Sequence, residues 1–453
     1  MKPESIPKSL ADQTALTKLN TVVLKVNPAA PAAQLRQQLA VAAEALRAGL
    51  LVAFPTETVY GLGGHALLPD TVKRIYSAKG RPSDNPLIVH VSKIDEIDPL
   101  ISQWPRLALP LAQKFMPGPL TLILPKSSLV PRAVSGGMDT VAVRIPSNPV
   151  ANALLRQAGV PVAAPSANLS GRPSPTLAQH VYADLAGRIS YLVDGGPCTY
   201  GVESTVLDLA SGPYPRILRP GAVTFEMLKD FLLSARLMPE SETVWGPLLA
   251  NEEGLNRVLP DGEHPRAPGM KYRHYAPLAP VIILEALQAA AVGAAMPKLS
   301  ALLSLLDCAP GADTPPGTNG AAGPALYTGL PKTLCALLTQ AEALTWPKQL
   351  HTTNGELWNC QVSGFTNDCN GQAAAHDLFA SFRRFDQAGA AAIVAQIQPD
   401  SSIGRAYMNR LGKAASFRVS PGGIWRKDKQ LGWVQLKAGD RLPGAAGNDG
   451  GLL

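Results

Sequence analysis

Between residues 20 and 235 the chain alternates short β-rich runs with amphipathic stretches, and that rhythm admits few architectures. "TVVLKV" (21–26), "LLVAF" (50–54), "PLIVHV" (86–91), "LTLIL" (120–124) and "TVAVRI" (140–145) read as strands, and "PVAAPSAN", "SYLVDGG", "STVLDL" and "RILRPG" continue the series. Between them, 31–50 reads as a helix with Leu35, Leu39, Ala42 and Leu46 at helical spacing, 70–78 as a second, and "NPVANALLRQAG" as a third with Asn148 as N-cap and Pro149 at its first position. Residues 225–233 close the series as a helix. Such a mixture predicts an α/β domain on an open, twisted, mixed sheet.

The next region changes character. Pro239, Pro247, Pro260, Pro265, Pro268, Pro277 and Pro280 punctuate 236–280 with little periodicity, which reads as a linker. Within it "PGMKYRHYAP" is too aromatic and basic for a bland spacer. The α/β rhythm then resumes: "PVIIL" and "KLSALLSLL" read as strands, "AHDLFASFRRFDQAG" as a helix, "AAIVAQI" as a strand and "SIGRAYMNRLGKAAS" as a helix. The expected organisation is a flexible 1–19, an α/β domain over 20–235, a linker over 236–280, a smaller three-layer Rossmann-like domain over 281–440 and a disordered tail over 441–453, with 310–324 as a floppy insertion.

Composition narrows the functional classes. Of the 453 residues, 17% are charged and the net charge is +7, a mild excess that suits anionic ligands without requiring a polyanion. Five cysteines, an odd count with no C-x-x-C, argue against a disulfide framework or zinc ribbon. No signal-like segment opens the chain, and Glu285, Gln288, Pro297 and Lys298 break its most apolar region, so a cytoplasmic protein without a membrane span is expected.

"FPTETVYGLGGHA" (54–66) holds a G-x-G-x-x-A run, yet polar Thr56, Glu57, Thr58 and Tyr60 separate it from the preceding strand, whereas a dinucleotide fingerprint turns directly off its strand. The polar residues therefore read as a binding strand and the glycines as a tight turn where backbones approach closely. "KGRPSDNPLIVHV" gathers Lys79, Arg81 and Asn85 before a strand containing His90; the cations fit either a helix C-terminus or an anion, and a lone His is more often a core residue. Arg144 interrupts an apolar strand on the face of Thr140 and Ala142, so it needs an anion, whether a structural acid or a substrate carboxylate. "APSANLSGRPSPT" and "GVESTVLDL" bring Ser166, Asn168, Ser170, Ser174, Thr176, Glu203, Ser204 and Thr205 to strand ends, and "ILRPGAV" adds Arg219. There is no P-loop, Ser-His-Asp order or zinc motif. An inventory rich in cations and hydroxyls suits nucleotidyl or phosphoryl transfer, which needs alignment and charge neutralisation rather than a covalent intermediate.

In order, these segments with "PGPLTLIL" and "VAVRIPSNP" resemble the signature of the YrdC-type domain, and the linker and later helices resemble the long, two-domain form of the L-threonylcarbamoyladenylate synthase family. The resemblance implies an open twisted α/β sheet with a deep basic cavity. It also implies synthesis of L-threonylcarbamoyl-AMP and pyrophosphate from L-threonine, bicarbonate and ATP, the product passing to a tRNA threonylcarbamoyl-transfer complex, with a weak direct tRNA contact also in view. It assigns Thr58, His90, Arg144, Ala164 and Ser204 to threonine, and Arg81, Asn85, Thr140, Ser166, Ser174, Arg219 and Tyr275 to ATP. Lys79, Arg81, Ser166 and Asn168 match its catalytic set, and Tyr275 would close over the nucleotide as part of a lid. Mg2+ would accompany ATP with no organic cofactor; Glu57 and Asp84 are weak candidates as its ligands. The 310–324 insertion and "HTTNGELWNCQVSGFTNDCNG" match no family motif.

Two other classes compete. A double-stranded RNA- or tRNA-binding protein would use the basic residues as a grip, but they are scattered over strand ends rather than along a helix. Carbamoyl-adenylate chemistry of the hydrogenase-maturation type would need acylphosphatase-like and zinc-finger segments, which are missing from this sequence. A nicotinamide dehydrogenase would rest on the G-x-G-x-x-A run alone.

Overall fold

The computed structural model describes residues 19–239, 275–285, 289–307, 332–353, 355–366, 371–428, 432–437 and 440. The expected flexible N-terminus (except Leu19), most of the linker, the 310–324 insertion and the C-terminal tail lie outside these residues. The chain divides into two compact units, Met1–Ser170 with Ser174–Lys271, and Gly171–Pro173 with Tyr272–Leu453.

The first unit is built on ten strands: β1 (Val22–Lys25), β2 (Val52–Phe54), β3 (Gly61–His65), β4 (Ile88–His90), β5 (Leu120–Pro125), β6 (Thr140–Arg144), β7 (Val162–Ala163), β8 (Tyr191–Asp194), β9 (Thr205–Asp208) and β10 (Arg216–Arg219). Their order is β1-β8-β2-β3-β7-β4-β6-β5-β9-β10. Parallel pairs such as β4–β6 and β5–β9 mix with antiparallel ones such as β2–β3 and β5–β6. Its helices are α1 (Ala32–Arg47), α2 (Pro69–Lys79), α3 (Ala108–Phe115), α4 (Arg132–Ser135), α5 (Pro149–Ala158), α6 (Ala178–Leu185) and α7 (Phe225–Ser234). Asn148 caps α5 as its sequence predicts, its side-chain oxygen accepting from the Val150 and Ala151 N–H groups.

Strand alternation sorts the core into two layers. Val52, Phe54, Tyr191 and Val193 pack with Leu35, Leu39, Leu46 and Leu154 of α1 and α5, whereas Ala53 and Leu192 point to the opposite layer with α2, α3, α6 and α7. Toward the β10 edge a small third cluster appears, Ile88, Ile123, Ala142, Val206 and Leu218. Two residues along their strands from Ile88 and Ala142 stand His90 and Arg144, and two residues from Ile123 and Val206 stand Thr121 and Ser204. The polar residues therefore share one sheet face with a thin apolar floor.

The second unit carries β11 (Val281–Leu284), α8 (Ala289–Asp307), β12 (Lys332–Thr339), α9 (Gln340–Thr345), β13 (Gln349–His351), β14 (Leu357–Phe365), α10 (Gln372–Gln387), β15 (Ala392–Gln396), α11 (Gly404–Ala414), β16 (Phe417–Ser420), β17 (Gly423–Asp428) and β18 (Gly432–Gln435). The sheet order is β13-β14-β12-β15-β11-β16-β17-β18, with β14 through β16 parallel and the outer strands antiparallel. Two sequence expectations change here. "KLSALLSLL" is helical, part of α8, because Ala295, Leu299, Leu302 and Leu303 recur at helical spacing and bury one face against the sheet. The segment without a motif begins at the last residue of β13 and supplies β14, which lies parallel to β12.

Candidate active site

The β2–β3 connection is a turn made of the polar residues, and the glycines form strand β3, the reverse of the sequence expectation. Thr56 folds the turn on itself: its hydroxyl donates to the Val59 carbonyl at 2.6 Å and accepts from the Thr58 and Val59 N–H groups. The Glu57 carbonyl accepts from the Thr199 and Tyr200 N–H groups, and the Tyr60 hydroxyl donates to Gly196 O at 2.6 Å. β3 then pairs with β2 on one side and β7 on the other. A Cβ on Gly63 would stand 2.6 Å from the Phe54 ring, and one on Gly64 2.6 Å from the Thr71 methyl. The glycines exist for close packing, which removes the dinucleotide reading.

Arg144 ends β6 directly beside His90 of β4. Its Nη1 donates to the Thr58 hydroxyl at 2.9 Å, its Nε to the Gly118 carbonyl at 3.4 Å, and its Nη2 lies 2.8 Å from Glu57 Oε1. The open alternative for Arg144 thus has a definite answer in part: a structural acid does face it. Yet neither Glu57 oxygen nor Nη2 meets hydrogen-bond alignment, so the pair is a charge contact with bonding capacity left over. His90 Nδ1 donates to the Ile88 carbonyl at 3.2 Å. Burial, and then the neighbouring Arg144 charge, push the imidazole down to about 3, so it is neutral at any working pH. Cys198 is also buried here, and desolvation raises its thiol far above the usual range, which rules it out as a nucleophile.

Ser204 stands immediately before β9, where its hydroxyl meets Thr121 Oγ1 at 2.8 Å and accepts from Arg219 Nη2 at 3.1 Å, while Arg219 Nε holds the Ser204 carbonyl at 3.0 Å. Gly221 permits this: a Cβ there would fall 2.3 Å from Thr205 N and 2.6 Å from Ser204 C. Ser174 donates to Glu203 Oε1. Ala164 N–H donates to Ile88 O at 2.9 Å, fixing that backbone next to β4. Thr140 begins β6, half-buried, on the face of Arg144.

A second group forms where α2 ends. Lys79 reaches back from its last turn so that Nζ donates to the carbonyls of Ser166 and, at 2.6 Å, Asn168. Ser166 itself bridges to Gly61 of β3. Arg81 follows the left-handed Gly80 cap, its guanidinium donating to the Asn85 and Pro86 carbonyls. The Asn85 side chain is fully buried, and neither its Nδ2 nor its Oδ1 has a hydrogen-bond partner. The sheet thus groups Thr58, His90 and Arg144, joins Ser204 to Arg219, and ties Lys79 to Ser166 and Asn168. Tyr275 belongs to the second unit, where its ring stacks on Phe379 at 5.3 Å and the Arg410 guanidinium lies 5.8 Å from its centroid.

Sequence reasoning missed Glu57 as the partner of Arg144, the Thr121 contact to Ser204, and Gly221. An acid between two threonines in an otherwise apolar stretch was the available signal for Glu57. Among the described residues no three His, Cys, Asp or Glu side chains gather as a metal site, so Glu57 and Asp84 form no protein cage. No helix among the described residues is long and apolar enough to cross a membrane.

Two family models match the chain: one described as telomere recombination over residues 44–221, the other as threonylcarbamoyl-AMP synthase, C-terminal domain, over residues 223–416. A threonylcarbamoyl-AMP synthase of Bacillus subtilis (strain 168) is 41% identical over 388 residues, covering 84% of this chain and 94% of that protein. One of Pyrococcus abyssi is 37% identical over 382 residues, covering 84% and 95%. The crystal structure of P. abyssi Sua5 complexed with L-threonine matches with a TM-score of 0.69 at 36% identity, over 87% of this chain and 98% of that one. With relatives this similar over nearly their whole length, the chain belongs to the threonylcarbamoyl-AMP synthase family, in its long two-domain form.

Proposed function

We infer that this protein joins L-threonine, bicarbonate and ATP into L-threonylcarbamoyl-AMP with release of pyrophosphate, for threonylcarbamoyladenosine modification of tRNA. The observation that carries it is Arg144: a buried guanidinium with bonding capacity left over, framed by Thr58 and His90, in a chain similar to a protein crystallised with L-threonine.

The chemistry follows from what the residues can and cannot do. The amine of threonine adds to the carbon of bicarbonate, giving an N-carboxy group. That new carboxylate attacks the α-phosphorus of ATP, and pyrophosphate departs. Neither step needs a protein nucleophile, in keeping with the buried, protonated Cys198. Arg144 clamps the threonine carboxylate through a planar fork suited to it. His90, neutral beside it, offers a polar ring without adding a second buried cation. Lys79 and Arg81, with Ser166 and Asn168, face the phosphates, where fixed positive charge favours the charge that develops on transfer. Asn85, Thr140, Ser174 and Arg219 complete the nucleotide contacts. Mg2+ would accompany ATP and would supply neutralisation of phosphate charge. The product passes to a tRNA-modifying transfer complex, and the cytoplasm suits these substrates.

A protein that only grips tRNA needs exposed cations along the backbone track. Arg144, Arg219 and Lys79 are instead all but fully buried, so that reading has no support in this site. Pyrophosphate release from ATP, measured with threonine or bicarbonate omitted in turn, tests the inference. Release that ignores both substrates, from a protein that binds tRNA tightly, would overturn it.

A further inference from the structure

Glu57 sits in the turn between β2 and β3 with its side chain 5% exposed, and neither carboxylate oxygen has an aligned donor. A buried carboxylate can accept about four hydrogen bonds, and leaving it unsatisfied is costly. The nearest cation, Arg144, spends Nη1 on Thr58 and Nε on Gly118, and turns toward Glu57 only the Nη2 that itself has no aligned acceptor. The two side chains therefore form a buried pair with unused donors on one and unused acceptors on the other. Both are anchored through their backbones, Arg144 by β6 pairing with β4 and β5, and Glu57 by the Thr199 and Tyr200 N–H groups.

An α-amino acid zwitterion complements such a pair, its carboxylate meeting the guanidinium and its ammonium the unfilled acceptor positions of Glu57. We propose that Glu57 is a catalytic residue that binds the α-ammonium of the amino-acid substrate and removes its proton. The proposal rests on the functional reading above and deepens it. In the step, one N–H bond of the ammonium breaks and an O–H bond forms on Glu57. The freed lone pair forms the N–C bond to bicarbonate, whose hydroxide departs and takes the second amine proton as water. The products are the N-carboxy amino acid, water and protonated Glu57, so charge and atoms balance. Other groups nearby leave the role to Glu57: His90 donates to a backbone carbonyl and stays neutral, and the Cys198 thiol stays protonated.

The test is calorimetric titration of the full chain with L-threonine and with its 2-hydroxy analogue, in which a hydroxyl replaces the amine. Wild type is expected to prefer threonine by about tenfold or more, the effect of a hydrogen-bonded charge. Glu57→Gln should abolish that preference by weakening threonine alone, with ATP binding retained as the check that the variant folds. Equal affinity of wild type for both ligands overturns the proposal without any variant. So does a Glu57→Gln protein that weakens both ligands alike, since Glu57 would then serve only to hold Arg144. A wild-type protein that binds neither ligand would overturn the functional reading itself.

Discussion

Arg144 Nη2 lies 2.8 Å from Glu57 Oε1, with the two side chains 4% and 5% exposed. A buried pair of this kind contributes little net stability, because desolvation offsets attraction, but breaking it from one side is costly. Arg144→Met should therefore lower unfolding free energy by about 3–5 kcal/mol, and adding Glu57→Gln should recover most of that loss. Urea denaturation of the two singles and the double reads the coupling. Strictly additive losses would mean the residues do not interact in solution.

Asn85 offers the opposite balance. Its amide is buried without a hydrogen-bond partner, so the fold gains nothing from it. Asn85→Ala is expected to change stability by no more than about 1 kcal/mol, while raising the KM for ATP roughly tenfold. A clear stability loss with unchanged KM would remove it from the nucleotide site.

The pH dependence of stability turns on His90. Its folded value is about 3 against an ordinary 6.5, because burial and Arg144 disfavour the imidazolium. Between those values the unfolded chain binds a proton that the folded one refuses. Its contribution is therefore complete above pH 6.5 and is lost as pH falls toward 3. From pH 6.5 to 5 the loss is about 2 kcal/mol. His90→Asn should flatten that limb in denaturant titrations; an unchanged slope would show that the ring is solvated in the folded protein.

Gly221→Ala places a methyl 2.3 Å from Thr205 N, so the start of β9 must shift. A stability loss of about 1–3 kcal/mol and weaker threonine binding through displaced Ser204 are expected. Gly212→Ala, which meets nothing within 4 Å, is the matched control and should behave as wild type. Equal behaviour of the two variants in melting and threonine titration would contradict the packing account.

What the sequence disclosed depends on whether the deciding contact is local. Arg144 was legible because a single cation in an otherwise apolar strand, on the face of Thr140 and Ala142, demands an anion. Asn148 and Pro149 declared the start of α5 within two residues. The β3 glycines were misread as a turn because they have no side-chain pattern; their strand state is imposed by β2 and β7. "KLSALLSLL" misled for the reason short apolar runs do: nine residues fit a buried strand or a helix, and only the rest of α8 decides. The partnership of Glu57 with Arg144 spans so much sequence that no local spacing signals it.

The proposed reaction places the carbon of bicarbonate between threonine and adenylate. With ATP, L-threonine and 13C-labelled bicarbonate, mass spectrometry of the nucleotide product should find a threonylcarbamoyl adenylate one mass unit heavier than from unlabelled bicarbonate. Pyrophosphate release accompanied only by unlabelled AMP or threonyl adenylate, with no labelled carbon in any nucleotide, would contradict it.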